Sequence, residues 1–243
     1  MSETSTLIGY SGRTIGREEL TLVPTPPATE THRPVPHHEI VQALIETLGF
    51  RHIGVVHDEY AVSPDGMKAF GVLDLETEME GCRFSIGLRN SHDKRRLAMT
   101  CGYRVFVCSN MAFAGDFTPV LAKHSKSFSL VDCISVGVDR MQRNFEPMRK
   151  QVETWQRSEL TDVTAKVVIY EAFIEGRLEA PKHLARSVHD LYFEPKYEEF
   201  RPRTIWRLSN AFTSAFKELD PIPQFRATAK LGEFLETRFS KSF

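Results

Sequence analysis

The chain has 243 residues, 41% of them hydrophobic and 26% charged, and its 31 Lys and Arg against 32 Asp and Glu leave a net charge of −1. That composition suits one large globular domain, or one domain with appendages, whose core needs no disulfide or metal to hold it together. No stretch approaches the ~18 apolar residues of a membrane span, and the opening MSETSTLIGYSGRT lacks the basic and apolar parts of a secretory leader, so a cytoplasmic protein with no membrane partner is expected.

The first segment is an arm. Residues 1–36 hold Pro24, Pro26, Pro27, Pro34 and Pro36, which forbid a regular helix and predict extended chain. From His37 the pattern changes. Ile40, Val41, Leu44, Ile45 and Leu48 recur at helical spacing and Gly49 supplies a stop. His37 and His38 open this helix, but neighbours on a helix diverge by about 100° and do not chelate one ion together.

A short strand is predicted around Ile53–His57, then a turn at Asp65-Gly66, then a strand over Lys68–Glu76. In Cys82–Arg89, Phe84, Ile86 and Leu88 alternate with Arg83, Ser85, Gly87 and Arg89, the period of a half-buried strand. Ala98–Phe113 reads as a further, longer strand. Successive strands joined by short polar turns predict an antiparallel meander. Beyond it, Val131, Ile134, Val138, Met141, Phe145, Met148, Val152 and Trp155 form a heptad-like seam on one long helix, with Pro147 as a point of bending. Helical patterns return at Ala165–Ile174, Ala180–Leu191 and Ile205–Glu218, and Pro221-Ile222-Pro223 reads as a break. The predicted fold is therefore α+β: an antiparallel β-meander packed against a long helix (37–160), with an extended N-terminal arm (1–36) and a helical C-terminal region (161–243).

Charge is unevenly distributed along this framework. Residues 1–81 hold five basic against 13 acidic side chains, a net −8; residues 82–150 hold 12 against 5, a net +7; residues 151–243 balance 14 against 14. The basic centre fits either a phosphate-binding face or a surface that pairs with the acidic segment of its own or a neighbouring chain. Cys82, Cys101, Cys108 and Cys133 form no CxxC pair and read as small core residues. Neither a Walker loop nor a Gly-x-Ser-x-Gly elbow is present, which disfavours an NTPase or an α/β-hydrolase.

Two strings stand out: GLRNSHDK at Gly87–Lys94 and RVFVCSNMAF at Arg104–Phe113. Together they resemble the paired signatures of the phage-and-plasmid family called domain of unknown function 932, with Arg95 where Ser is common and Ser109 where Asp is common. The resemblance runs from about Pro34 to Leu160 and implies a mobile-element context. It supplies no reaction, cofactor or catalytic residue, and none is assigned. At the level of architecture, the order of three strands and a long helix is similar to Rad-type single-strand-annealing proteins.

Physically, Asn90-Ser91-His92-Asp93 is turn chemistry. His92 and Asp93 would otherwise be an acid–base pair or metal site of a nuclease-like enzyme, although neighbours on a strand face opposite ways and no second ligand pair supports them. The positive groups of the hairpin fit a single-stranded nucleic acid platform, with Tyr103 or Phe106 available for stacking. The expectation is a homo-oligomeric, non-catalytic binder of nucleic acid, single-stranded DNA first, using Arg83, Arg89, Asn90, Lys94, Arg95, Arg96 and Arg104, with no cofactor or metal. The alternatives are the nuclease and a non-enzymatic factor that docks a host defence component.

Overall fold

The computed structural model describes residues 13–93, 97–108, 110–113, 120–122, 129–219 and 221–239. An antiparallel sheet runs through strands β1 (Arg13–Ile15), β2 (Val55–Val62), β3 (Lys68–Met79), β4 (Cys82–Ser91), β5 (Leu97–Val105), β6 (Met111–Phe113) and β7 (Val120–Ala122). The strands lie in chain order from β1 to β6, and β7 pairs with β5 beside β6. The helices are α1 (His37–Phe50), α2 (Leu130–Arg157), α3 (Asp162–Phe173), α4 (Leu184–Phe193), α5 (Ile205–Ala215) and α6 (Pro221–Phe239).

The α+β meander is as expected, and its turns have local causes. Gly66 and Gly81 sit at φ +71° and +76°, where only glycine is unstrained, and they close β2–β3 and β3–β4. The stretch read as one strand over Ala98–Phe113 is instead a hairpin: after Val105 the chain turns and β6 pairs back onto Gly102–Arg104. The segment read as an arm contributes β1 and a 3₁₀ turn at Glu18–Leu22, whose Leu20 is buried. The break expected at Pro221-Ile222-Pro223 is the first turn of α6, where a missing N–H costs nothing.

The sheet has two faces. On one, Leu73, Leu75, Phe84, Ile86, Leu88, Met99, Cys101 and Tyr103 belong to a single core cluster with residues of all six helices. The α2 seam is part of it: Ile134, Val138, Met141, Met148, Val152 and Trp155 are buried within the chain, while Val131 is 66% exposed. Those seam residues pack against this chain's own sheet and helices. The other face carries a small apolar cluster of Ala61, Phe70, Val72 and Met111. Beside it lie the buried polar residues Glu59, Asp74, Ser85 and Thr100. Directly paired residues share a face, so the register Asp74↔Ser85, Arg83↔Arg104 and Arg89↔Ala98 puts Arg83, Ser85, Arg89 and Arg104 on this second face.

Candidate binding cleft

The basic residues picked from the sequence do not form one open surface. Arg104 is 12% exposed and bridges two carboxylates, with Nη2 2.8 Å from Glu59 Oε1 and Nε 2.8 Å from Asp74 Oδ2. Asp74 also accepts from Ser85 Oγ at 2.6 Å. Arg83, directly across from Arg104, pairs with Glu78 at 2.6 Å and lies over the Phe106 ring, 5.0 Å from its centroid. Arg89 is half-buried on the same face. Lys94, Arg95 and Arg96 lie outside the described residues. This arrangement matches charge pairing within the chain at Arg83 and Arg104, one of the two readings of the basic segment.

Asn90 has a different job at the opposite end of β4. Its Nδ2 donates to Val35 O at 3.0 Å and to His37 Nδ1 at 2.8 Å, while its Oδ1 accepts from the Ser91 amide at 2.8 Å. His37 Nε2 donates to Gly66 O at 3.0 Å, and His92 Nε2 donates to Val35 O at 3.0 Å. Because carbonyl oxygens only accept, both rings carry their proton on Nε2. The two imidazoles stack with centroids 4.1 Å apart and planes 5° from parallel. His32 Nε2 reaches His92 O at 3.2 Å, so the segment 29–37 is pinned to the end of the sheet. Asp93 is held by Ser91 Oγ and lies 3.9 Å from Lys68 Nζ, while the His92 ring is turned to Val35 O. Among the described residues no group of three His, Cys, Asp or Glu side chains is placed to hold a metal ion.

Burial pushes the His92 pKa below its ordinary 6.5. The unfolded chain therefore takes up a proton that the folded chain resists, and stability falls as pH drops from about 6.5 toward the depressed value, by at most ~1.4 kcal/mol per pH unit. A lower melting temperature at pH 5.5 than at pH 7.5 is expected, with part of that difference lost in His92→Gln. An unchanged difference in the variant would remove His92 as its source.

At the other end of the sheet the second signature string lines a cleft of about 550 Å³. Its walls are the Glu80-Gly81 turn, Val105–Val107 after β5, the end of α2 at Gln156 and Arg157, the 199–202 loop, and Thr204 and Trp206 at the start of α5. Local bonds hold each wall. The Phe106 amide donates to Gly81 O at 3.1 Å, and Gln156 Nε2 donates to Glu80 O at 2.9 Å. Thr204 Oγ1 caps α5 by accepting from the Arg207 amide at 3.2 Å. Arg207 fastens the loop before α5, donating to Tyr192 O at 2.6 Å and Arg201 O at 2.7 Å. Trp206 packs on Tyr103 with centroids 5.6 Å apart. Phe106 is 45% exposed, an uncommon position for an aromatic ring that also forms part of a concave wall.

The cleft offers rings, a guanidinium and the carboxylates of Glu80 and Glu199. Burial raises the Cys108 thiol nearby to about 11, away from thiolate reactivity. Sequence reasoning named Phe106 only as a ring available for stacking and missed Gln156, Arg157, Phe200 and Trp206. These come from three separate stretches of chain and share no local signal.

No helix among the described residues is long and apolar enough to cross a membrane. No curated protein and no solved structure matches the chain. One family model does match, over residues 29–233, which includes α3, α4 and α5 as well as the two signature strings. The chain belongs to the family described as Domain of unknown function (DUF932).

Proposed function

We propose that this protein binds single-stranded nucleic acid without catalytic chemistry, as a mobile-element accessory protein of the annealing or recombination type, and that the strand is engaged at the Phe106 cleft. The observation that carries this reading is Phe106 itself: a ring 45% exposed at a fixed turn, flanked by Arg83 and set in a concave wall with Arg157 and Trp206. A base taken out of its stack finds in such a site an aromatic face and a cation close by. Glu80 and Glu199 disfavour a run of phosphates and suit the amino groups of a base edge. The Arg104 face contributes little to this surface, because its guanidinium already bridges Glu59 and Asp74.

Replacing one stacking ring by alanine costs about 1–3 kcal/mol per base, so Phe106→Ala is expected to weaken binding about 5- to 150-fold. Fluorescence anisotropy with a labelled single-stranded oligonucleotide at low salt reads this directly. A wild-type protein that ignores the oligonucleotide at low salt would end the reading, and a Phe106→Ala variant that binds as tightly as wild type would remove the cleft from it.

A further inference from the structure

The first signature string, Gly87–Lys94, has no part in the Phe106 cleft. Two of its residues, Asn90 and His92, instead hold the chain that runs from the 3₁₀ turn to α1. Val35 O accepts from both of them, His32 Nε2 reaches His92 O at 3.2 Å, and His37 Nδ1 accepts from Asn90 at 2.8 Å. His32, His37 and His92 are 8%, 2% and 3% exposed.

These contacts need both stacked rings neutral. A proton on His37 Nδ1 would set two donors face to face, its own N–H and the Asn90 amide. Turning the Asn90 amide over does not mend this, because Oδ1 would then leave the Ser91 amide and Nδ2 would leave Val35 O. His92 Nδ1 is buried with no hydrogen-bond partner among the described residues, so a proton there becomes a buried donor left unpaired. With both rings charged, two cations would face each other at 4.1 Å. The other titratable groups about the pair are His32, His38 next to His37 on α1, Asp65 next to Gly66 in the β2–β3 turn, Lys68 on β3 and Asp93 after β4. Asp65 is turned to Ser63 and the Met67 amide. Asp93 favours a cation on His92, but Lys68 Nζ at 3.9 Å and the Ser91 hydroxyl offset its charge, and His32 opposes it.

We propose that residues 29–37 form an acid-released strap, fastened to the end of β4 by the neutral His37–His92 pair and let go, with the core still folded, when the pair takes up protons. The working range lies just below pH 6.5, where a histidine released into water becomes charged. Burial of His92 acts in the same direction, since it disfavours the charged ring in the closed form. Release is local because the chain on either side is anchored separately: Leu20 before the strap and Ile40, Leu44 and Leu48 after it belong to the main core.

Cleavage after the exposed Glu30 by a glutamate-specific protease reads the opening, with the rate at each pH divided by that on a synthetic peptide of residues 24–36. From pH 7.5 to 5.5 the corrected rate is expected to rise about tenfold if opening takes up one proton and about a hundredfold if it takes up two. Fluorescence of Trp155 and Trp206, both buried, should stay native over that range. His92→Gln keeps an amide donor and does not titrate, so its rise is expected to be about tenfold smaller. If that variant does not fold, NMR of the wild type decides: the imidazole signals of His37 and His92 should shift with pH together with the backbone amide signals of residues 29–33. A corrected rate that is flat with pH, a rise unchanged in His92→Gln, or rings that titrate while those amide signals stay fixed overturns the proposal. Loss of native fluorescence at the same pH as cleavage overturns it too, because the whole fold would then be opening.

Discussion

Arg104→Ala is expected to destabilise the fold by about 3–5 kcal/mol, the usual result of removing one partner from a buried ion pair. The side chains of Arg104, Glu59 and Asp74 are 12%, 8% and 4% exposed, so little solvent can replace the lost guanidinium. Two carboxylates would be left in a sheet interior beside Ser85, which already donates its hydroxyl to Asp74. Against a total stability of about 5–15 kcal/mol, that loss is a large fraction. Its neighbour across the strands behaves differently. Arg83 pairs with Glu78, which is 53% exposed, and Arg83→Ala is expected to cost no more than about 1 kcal/mol. Urea denaturation of the two variants separates these cases, and equal losses would mean that the Arg104 cluster is more hydrated than its burial implies.

Asn90→Ala should have the next largest effect, about 2–4 kcal/mol, because it removes three hydrogen bonds at one buried position. Asn90 is 2% exposed, and its amide is the common partner of Val35 O, His37 Nδ1 and the Ser91 amide. Leucine in its place is close in volume but donates nothing, so Asn90→Leu should do as badly. The loss should also be local in form, since these bonds fasten residues 29–37 to the end of β4. A glutamate-specific protease is expected to cut after the exposed Glu30 faster in the variant than in wild type, before the core is lost. Global unfolding with no prior release of the segment would show that Asn90 supports the sheet and not the segment.

The strands and long helices were legible because their signals are local. Phe84, Ile86 and Leu88 alternate with Arg83, Ser85 and Arg89, and the observed faces follow that parity. Asn90 and His92 continue the even-numbered, core-facing register, so the sequence did contain a hint that both turn inward. The turn chemistry of the same residues hid it, and His37, which opens α1, is 2% exposed. Its partner lies more than fifty residues away, and only the fold brings the two rings together. The charge pairing of Arg104 was foreseen as a class and not in its partners, because Glu59 and Asp74 come from β2 and β3 and only the register of the sheet sets them beside Arg104. The α2 seam was legible as an apolar stripe, but a heptad pattern does not reveal whether a sheet or a second chain covers it. The cleft was illegible for a similar reason, since Phe106, Gln156 and Trp206 meet only once α2 and α5 have docked on the sheet.

The cleft is most directly tested by photo-cross-linking of a single-stranded oligonucleotide that carries a photoreactive base, followed by mapping of the attached peptides by mass spectrometry. Binding at the cleft predicts adducts on the peptides that contain Phe106 and Trp206, and their loss in Phe106→Ala. Adducts confined to the peptide spanning Lys94, Arg95 and Arg96, or no adduct at low salt, would contradict it.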